Sequence, residues 1–255
     1  MASPPDPWRR LASLTPARIA LGRAGPGLPT RQVLALSLAH ARARDAVHAP
    51  FEAGALADDI RRLGPESLIV ESTAPDRATY LRRPDLGRRL TPASVAALTT
   101  PEPVDLVLVV GDGLSSAAAH AHAAPLIEAF LPMCEAAGWR LGPVVLAHQA
   151  RVALGDEIGA ALKARIVGVL IGERPGLSAP DSLGIYVTFD PKPGRTDAER
   201  NCISNIQAHG LAPQAAAGTL AWLVETALRR GLTGVGLKDE SELALAGSSS
   251  AQLGP

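Results

Sequence analysis

"LVLVVGDGLSS", residues 106–116, is the stretch whose reading decides the fold. Five apolar residues run into Gly111-Asp112-Gly113, then into Leu114 and two serines. A continuous apolar run ending in glycines reads as a parallel strand buried on both faces. The serines after it read as the start of a helix, with Ser115 as its cap. Such strand-to-helix turns hold phosphates in many α/β folds. The dinucleotide fingerprint, however, needs a third glycine where Ser116 stands. It also needs an acidic residue ending a second strand about 20 residues later. Residues 131–138, "LPMCEAAG", read instead as a helix end. A self-contained nucleotide-dependent enzyme is therefore the alternative reading and not the preferred one.

Outward from this turn the same texture repeats. Strands are expected at 105–110, 143–148, 165–171 and 184–189, with helices at 115–136, 151–163 and 213–230. The last helix is the clearest: Pro213 opens it, Gly231 closes it, and Leu220, Leu223, Val224, Ala227 and Leu228 form one stripe. A short final strand is expected near residues 233–237. Strand–helix alternation with continuous apolar strands implies an α/β fold. The expectation is a mostly parallel, doubly wound sheet of the Rossmann or flavodoxin type with an N-terminal, largely helical extension.

Residues 1–100 read as that extension, 101–240 as the α/β domain, and 241–255 as a small, polar, disordered tail. Within the extension, residues 1–29 are rich in proline and glycine, with a short helix around Trp8–Leu14. Thr30 reads as the N-cap of a helix over 31–48, which puts Leu34, Leu38 and Ala41 on one face. Strand content is limited to residues 67–72, "SLIVES".

Composition narrows the function classes. The 255 residues are 47% hydrophobic, 20% charged and only 3% aromatic, with zero formal net charge. The charge is split: residues 1–100 hold 14 Arg against 9 acids, and residues 101–255 hold 11 Lys and Arg against 16 acids. A basic arm lying on an acidic domain or a partner subunit fits that split. There is no dense basic stripe with interleaved aromatics, so nucleic acid is not an expected partner. No apolar run reaches the roughly 18 residues of a membrane span, and no secretory signal is recognised. Cys134 and Cys202 form no CxxC pair and read as reduced thiols of a cytoplasmic protein. No HExxH and no tetrahedral Cys/His set occurs, so no protein metal site is expected.

Two further segments bear on chemistry. In "IGERPGLSAPDSLGIYVTF" a strand ends at Ile171 or Gly172, and Glu173 and Arg174 follow at its carboxyl end. Ligands of open α/β sheets sit outside such ends. In "PKPGRTDAERNCISNIQAHG" a polar loop leads to Cys202, flanked by Asn201, Ser204 and Asn205. A nucleophilic cysteine needs a histidine base, and only His209 is near in sequence. A packed or ligand-contacting thiol is the preferred reading.

Taken together, "ARIALGRAGPGLPT", "LAHARARDAVH", "YLRRPDLGRRL", "VVGDGLSS", "ARVALGDEIG", "VLIGERPGLSAPDSLGIYVTFDPKPGRTDAERNCISNI" and "GVGLKDE" resemble the small (light) subunit of bacterial ethanolamine ammonia-lyase. The likeness runs from about residue 15 to 240. It implies a hetero-oligomeric lyase that uses adenosylcobalamin to convert ethanolamine to acetaldehyde and ammonia. In that chemistry the cobalt–carbon bond breaks homolytically, and the adenosyl radical removes a substrate hydrogen. The resemblance implies a large, barrel-shaped partner subunit that holds the substrate and much of the cofactor, and no catalytic residue on this chain. It also implies three cofactor contacts here: Val152 in "RVA", Glu173 in "GERPG" and Cys202 in "CISN". Asp112, Gly113 and Ser115 are further expected to line the cofactor. The family's N-terminal region is linked to bacterial microcompartment packaging, and residues 1–14 match it less well. Proteins that replace cobalamin's own base with a histidine carry D-x-H-x-x-G. Asp45-x-x-His48 has the wrong spacing and no glycine. The cofactor's benzimidazole is therefore expected to stay on cobalt.

Overall fold

The computed structural model describes residues 7–15, 17–100 and 102–241. The stretch 106–116 is a strand-to-helix turn, as its residue pattern implies: strand Val104–Gly111 and helix Ser116–Ala137. In chain order the helices are α1 (Pro7–Ala12), α2 (Thr30–His48), α3 (Ala53–Arg62), α4 (Arg77–Arg82), α5 (Pro92–Ala97), α6 (Ser116–Ala137), α7 (Leu154–Ala161) and α8 (Pro213–Arg230). The strands are β1 (Ser67–Glu71), β2 (Val104–Gly111), β3 (Val144–His148), β4 (Ala164–Gly172), β5 (Leu183–Phe189) and β6 (Arg200–Ile206). They form one sheet in the order β1-β3-β2-β4-β5-β6.

The sheet is mixed, which corrects the mostly parallel expectation. β1, β3, β2 and β4 run parallel, but β4–β5 and β5–β6 are antiparallel. The reason is the connection. Parallel pairing needs a crossover of a dozen or more residues, usually a helix. Only the helix-free segment 173–182 joins β4 to β5. Residues of β5 are buried or half-buried throughout, so its apolar run looks the same as that of a parallel strand. β6 matches no strand expected from the sequence, where a polar loop leads into "NCISN". It is the sheet's outer strand, and its exposed Cys202, Ser204 and Asn205 disguise it. The segment near 233–237 is a short 3-10 turn, Gly234–Gly236, and not a strand.

Alternation along β2 sorts the core into two layers. Leu106, Leu108 and Val110 face one side, where they meet Leu126, Ile127 and Phe130 of α6 and Leu220 and Val224 of α8. Val107 and Val109 face the other, with Leu154 and Ile158 of α7. Right-handed crossovers leaving β2 and β3 in opposite directions along the sheet place α6 and α7 on opposite faces. The first hundred residues share in this body. β1 pairs with β3, and α3 lies in the α6–α8 layer through Leu56 and Ile60.

Helix ends follow local chemistry. The Ser115 side chain accepts from the Ala118 amide, and Gly138 and Gly231 close α6 and α8 in the left-handed conformation. Thr30 is not the cap of α2; Pro29 occupies that position without a side-chain bond. The α2 face that carries Leu34 and Leu38 is exposed, at 64% and 51%, while Ala39 and Ala46 are buried. Under the sheet, the Arg200 guanidinium pairs with both Asp156 oxygens at 2.7 Å and donates through Nη1 to the Thr188 hydroxyl oxygen at 2.8 Å. Both charged side chains are 2% exposed. Residues 242–255, which cover nearly all of the expected tail, lie outside the described residues, as do 1–6.

Candidate functional site

The carboxyl ends of β2 and β4 lie side by side, with Gly111 opposite Ile171. Their closeness is built from glycine. Gly113 has φ +53°, and a Cβ there would stand 2.3 Å from the Gly172 carbonyl oxygen. A Cβ on Gly172 would in turn stand 2.0 Å from the Ser115 carbonyl oxygen. The Leu114 amide donates to the Gly172 carbonyl at 2.9 Å and ties the two turns together.

Above them opens a cleft of about 460 Å³, lined by Tyr80, Gly113, Leu114, Val152, Glu173 and Tyr186 among others. It brings together two residues expected from sequence, Val152 and Glu173. Val152 sits in the turn before α7, not inside the helix, because α7 starts only at Leu154. Glu173 follows β4 directly. Its carboxylate accepts from the Ser182 hydroxyl at 2.6 Å through Oε2, with the Asn205 amide at 3.4 Å on the same oxygen. Oε1 has no hydrogen-bond donor among the described residues.

Cys202 is not in that cleft. It lines a neighbouring hollow of about 590 Å³ with Thr219 and residues 238–241. The link between the two is Tyr186, which pairs with Cys202 across the β5–β6 ladder. Cross-strand partners share a face of the sheet. Although the Cys202 side chain opens to solvent, surrounding atoms desolvate its sulfur and push the thiol above its usual range. The Tyr186 hydrogen bond opposes that rise, and the Glu173 charge adds to it. Burial likewise raises the Tyr186 phenol. Both groups are neutral near pH 7.

The floor of the cleft is a cluster that sequence reading missed. Tyr80 is fully buried, and its hydroxyl donates to the Ala150 carbonyl at 2.8 Å. Arg77 and Arg151 lie over its ring at 4.8 and 4.2 Å. Arg77 also donates to the Val47 carbonyl at 2.7 Å and the Gly113 carbonyl at 2.8 Å, joining the end of α2 to the glycine turn. Arg151 stands next to Val152 in "ARVALGDEIG". That adjacency was the available signal.

Of Asp112, Gly113 and Ser115, only Gly113 reaches the cleft. Asp112 is 2% exposed and accepts from the amides of Ala150 at 3.0 Å and Gln149 at 3.1 Å. Burial raises its carboxyl, against those amides and the Arg77 charge. Ser115 is fully buried and donates to the Pro180 carbonyl at 2.8 Å; Ser116 donates to the Ala49 carbonyl at 2.8 Å. Carbonyl oxygens of other segments therefore crowd the start of α6, where a dinucleotide would need room for its pyrophosphate. Among the described residues no group of three His, Cys, Asp or Glu could hold a metal ion. No described helix is long and apolar enough to cross a membrane.

Comparison with known proteins gives this site a context. The family model for the ethanolamine ammonia-lyase light chain (EutC) matches residues 5–238. The chain is 54% identical over 244 residues to the ethanolamine ammonia-lyase small subunit of Azotobacter vinelandii, covering 94% of this chain and 90% of that one. It is 56% identical over 243 residues to the small subunit of Bradyrhizobium diazoefficiens, covering 94% and 93%. For the Pseudomonas aeruginosa small subunit the figures are 53% over 247 residues, 95% and 90%. The 106–116 turn, the "GERPG" strand end and the "NCISN" edge strand thus lie within one continuous match, and the chain belongs to the ethanolamine ammonia-lyase light-chain family.

Proposed function

We propose that this chain forms one wall of the adenosylcobalamin site of an ethanolamine ammonia-lyase, assembled as a hetero-oligomer with the large subunit. The observation that carries the reading is the meeting of Val152 and Glu173 in one cleft at the carboxyl ends of β2 and β4. Cys202 adjoins that cleft through Tyr186. The residues fit a corrin: Leu114, Val152, Ile171 and Tyr186 offer apolar surface, Gly113 lets backbone come close, and Glu173 offers an acceptor. The cleft is partly open to solvent, which suits a cofactor closed over by a second subunit.

When bound, adenosylcobalamin supplies a cobalt–carbon bond that breaks homolytically and so provides the radical. This chain's residues hold and shield. Ser182 fixes the Glu173 carboxylate through Oε2, and Oε1 is left to accept from corrin side-chain amides. Val152 and Tyr186 exclude water from the corrin edge. The protonated Cys202 thiol gives a polarisable surface with no charge.

Calorimetry on the assembled complex tests the reading. Glu173→Ala is expected to weaken cobalamin by about 1–3 kcal/mol, the cost of losing an acceptor for buried donors. Cobalamin-dependent acetaldehyde formation from ethanolamine should require both subunits. Turnover by the large subunit alone at the full rate, or unchanged cobalamin affinity in Glu173→Ala, would defeat it.

A further inference from the structure

We infer that Arg88 and Arg151 form an anion subsite beside the cleft, which takes the phosphodiester of the cofactor's nucleotide arm; this rests on the cobalamin reading above. A second hollow, of about 390 Å³, adjoins the first and shares Arg151 and Val152 with it. Arg88 and Ala153 complete one wall, and residues 195–197 with Arg200 form the other.

Four arginines therefore line this space, and their charges are unequally compensated. Arg195 is held by Asp190 at 2.7 Å and by Glu199. Arg200 is held by Asp156, and the fully exposed Asp197 stands 3.7 Å from its Nε. Thr196 spends its amide and hydroxyl on Glu199. Arg88 is exposed, and its side chain has neither a hydrogen bond nor a carboxylate partner among the described residues. Arg151 has no carboxylate partner either. Its Nη2 donates to the Tyr80 carbonyl at 3.2 Å, and its Nε is buried without an acceptor.

These two cations are positioned by the fold. The Arg151 amide donates to the Gly87 carbonyl at 2.8 Å, which places Arg88 directly beside it in the chain path. A Cβ on Gly87 would come 2.8 Å from the Arg151 Cγ and 3.0 Å from the Gln149 carbonyl oxygen, so only glycine lets the segments approach. The Tyr80 ring then backs the Arg151 guanidinium at 4.2 Å. Two cationic residues that line one hollow without a carboxylate partner repel each other, and a bound oxyanion offsets that repulsion. The planar fork of arginine suits phosphate oxygens in particular. Within the proposed cofactor, the phosphodiester is the anionic group.

The test is calorimetric titration of the complex with the large subunit, using cobalamin and cobinamide, which lacks the nucleotide arm and its phosphate. Arg88→Gln/Arg151→Gln is expected to weaken cobalamin about 10- to 100-fold and to leave cobinamide within about 2-fold. Arg88→Gln alone, at an exposed side chain, should give part of the same selective loss and carries the test if the double variant does not fold. Inorganic phosphate should compete with cobalamin in the wild type and not in the variant. Equal weakening of both corrinoids, or of neither, overturns the inference. Phosphate that binds the wild type without disturbing cobalamin makes this a site for a free anion and also overturns it. A wild-type complex that binds neither corrinoid overturns the cobalamin reading, and the inference with it.

Discussion

At the scale of single residues, Gly113 is tightly constrained. Its φ of +53° and the 2.3 Å approach of a hypothetical Cβ to the Gly172 carbonyl leave no room for any side chain. Backbone of two strands would have to part, because the obstacle is a carbonyl and not a flexible tip. Gly113→Ala is expected to destabilise the fold by roughly 2–4 kcal/mol, above the usual cost of a strained left-handed alanine alone. Urea unfolding of the isolated chain checks this; a loss under about 1 kcal/mol would mean the turn can relax. The glycine was legible in "GDG". What it is for was not, because its neighbour in space, Gly172, lies far away in sequence. The same holds for Tyr80. Nothing in "ATYLRR" announces a ring contacted by the guanidiniums of Arg77 and of residue 151.

At the scale of elements, the β5–β6 connection is the instructive one. Its 3-10 turn, Asp197–Glu199, is closed by a capping box: the Glu199 carboxylate accepts from the Thr196 amide at 2.7 Å, and Thr196 answers through its hydroxyl. That amide, then the Arg195 guanidinium and the Thr196 hydroxyl, lower the Glu199 carboxyl from 4.5 to about 2. A lowered carboxyl contributes stability that is complete above its unfolded value and lost as pH falls through its folded one. Glu199→Gln should therefore show a shallower loss of stability than the wild type between pH 4.5 and about 2. Urea midpoints across that window measure it, and parallel curves would remove the role. The motif T-D-A-E is a readable capping box in sequence. The strand after it was not readable, since β6 exposes three of its seven residues and looks like loop. Its membership of the sheet is decided by pairing with β5, through Tyr186–Cys202 and its neighbours.

Across the whole molecule, burial is uneven. β2 and β4 are packed on both faces, whereas α2 buries only Ala39 and Ala46 of its 19 residues. Local opening free energy follows buried apolar contact. In the isolated chain, α2 amides should exchange with solvent far faster than those of β2 and β4, under conditions where the sheet exchanges only by global unfolding. Equal protection would show that α2 is coupled to the core more tightly than its contacts indicate. The basic character of the first hundred residues was legible in composition. Their structural division was not: β1 and α3 belong to the sheet and its covering layer, while α2 lies largely outside the core.

The sequence by itself determined the apolar strands, the helix stripe of α8, the turn at residues 111–115 and the family resemblance, because each rests on neighbours within a few residues or on residue identity. Only the tertiary structure decided the direction of β5, the strand at 200–206 and the gathering of Tyr80, Arg151, Val152 and Glu173 around one cleft. These depend on pairings between positions from 11 to 93 residues apart, whose register is selected by packing and connection length and leaves no local mark. The turn that opened the reading lines that cleft through Gly113 and Leu114. Gly113 gives it its closeness, and residues from four other segments give it its chemistry.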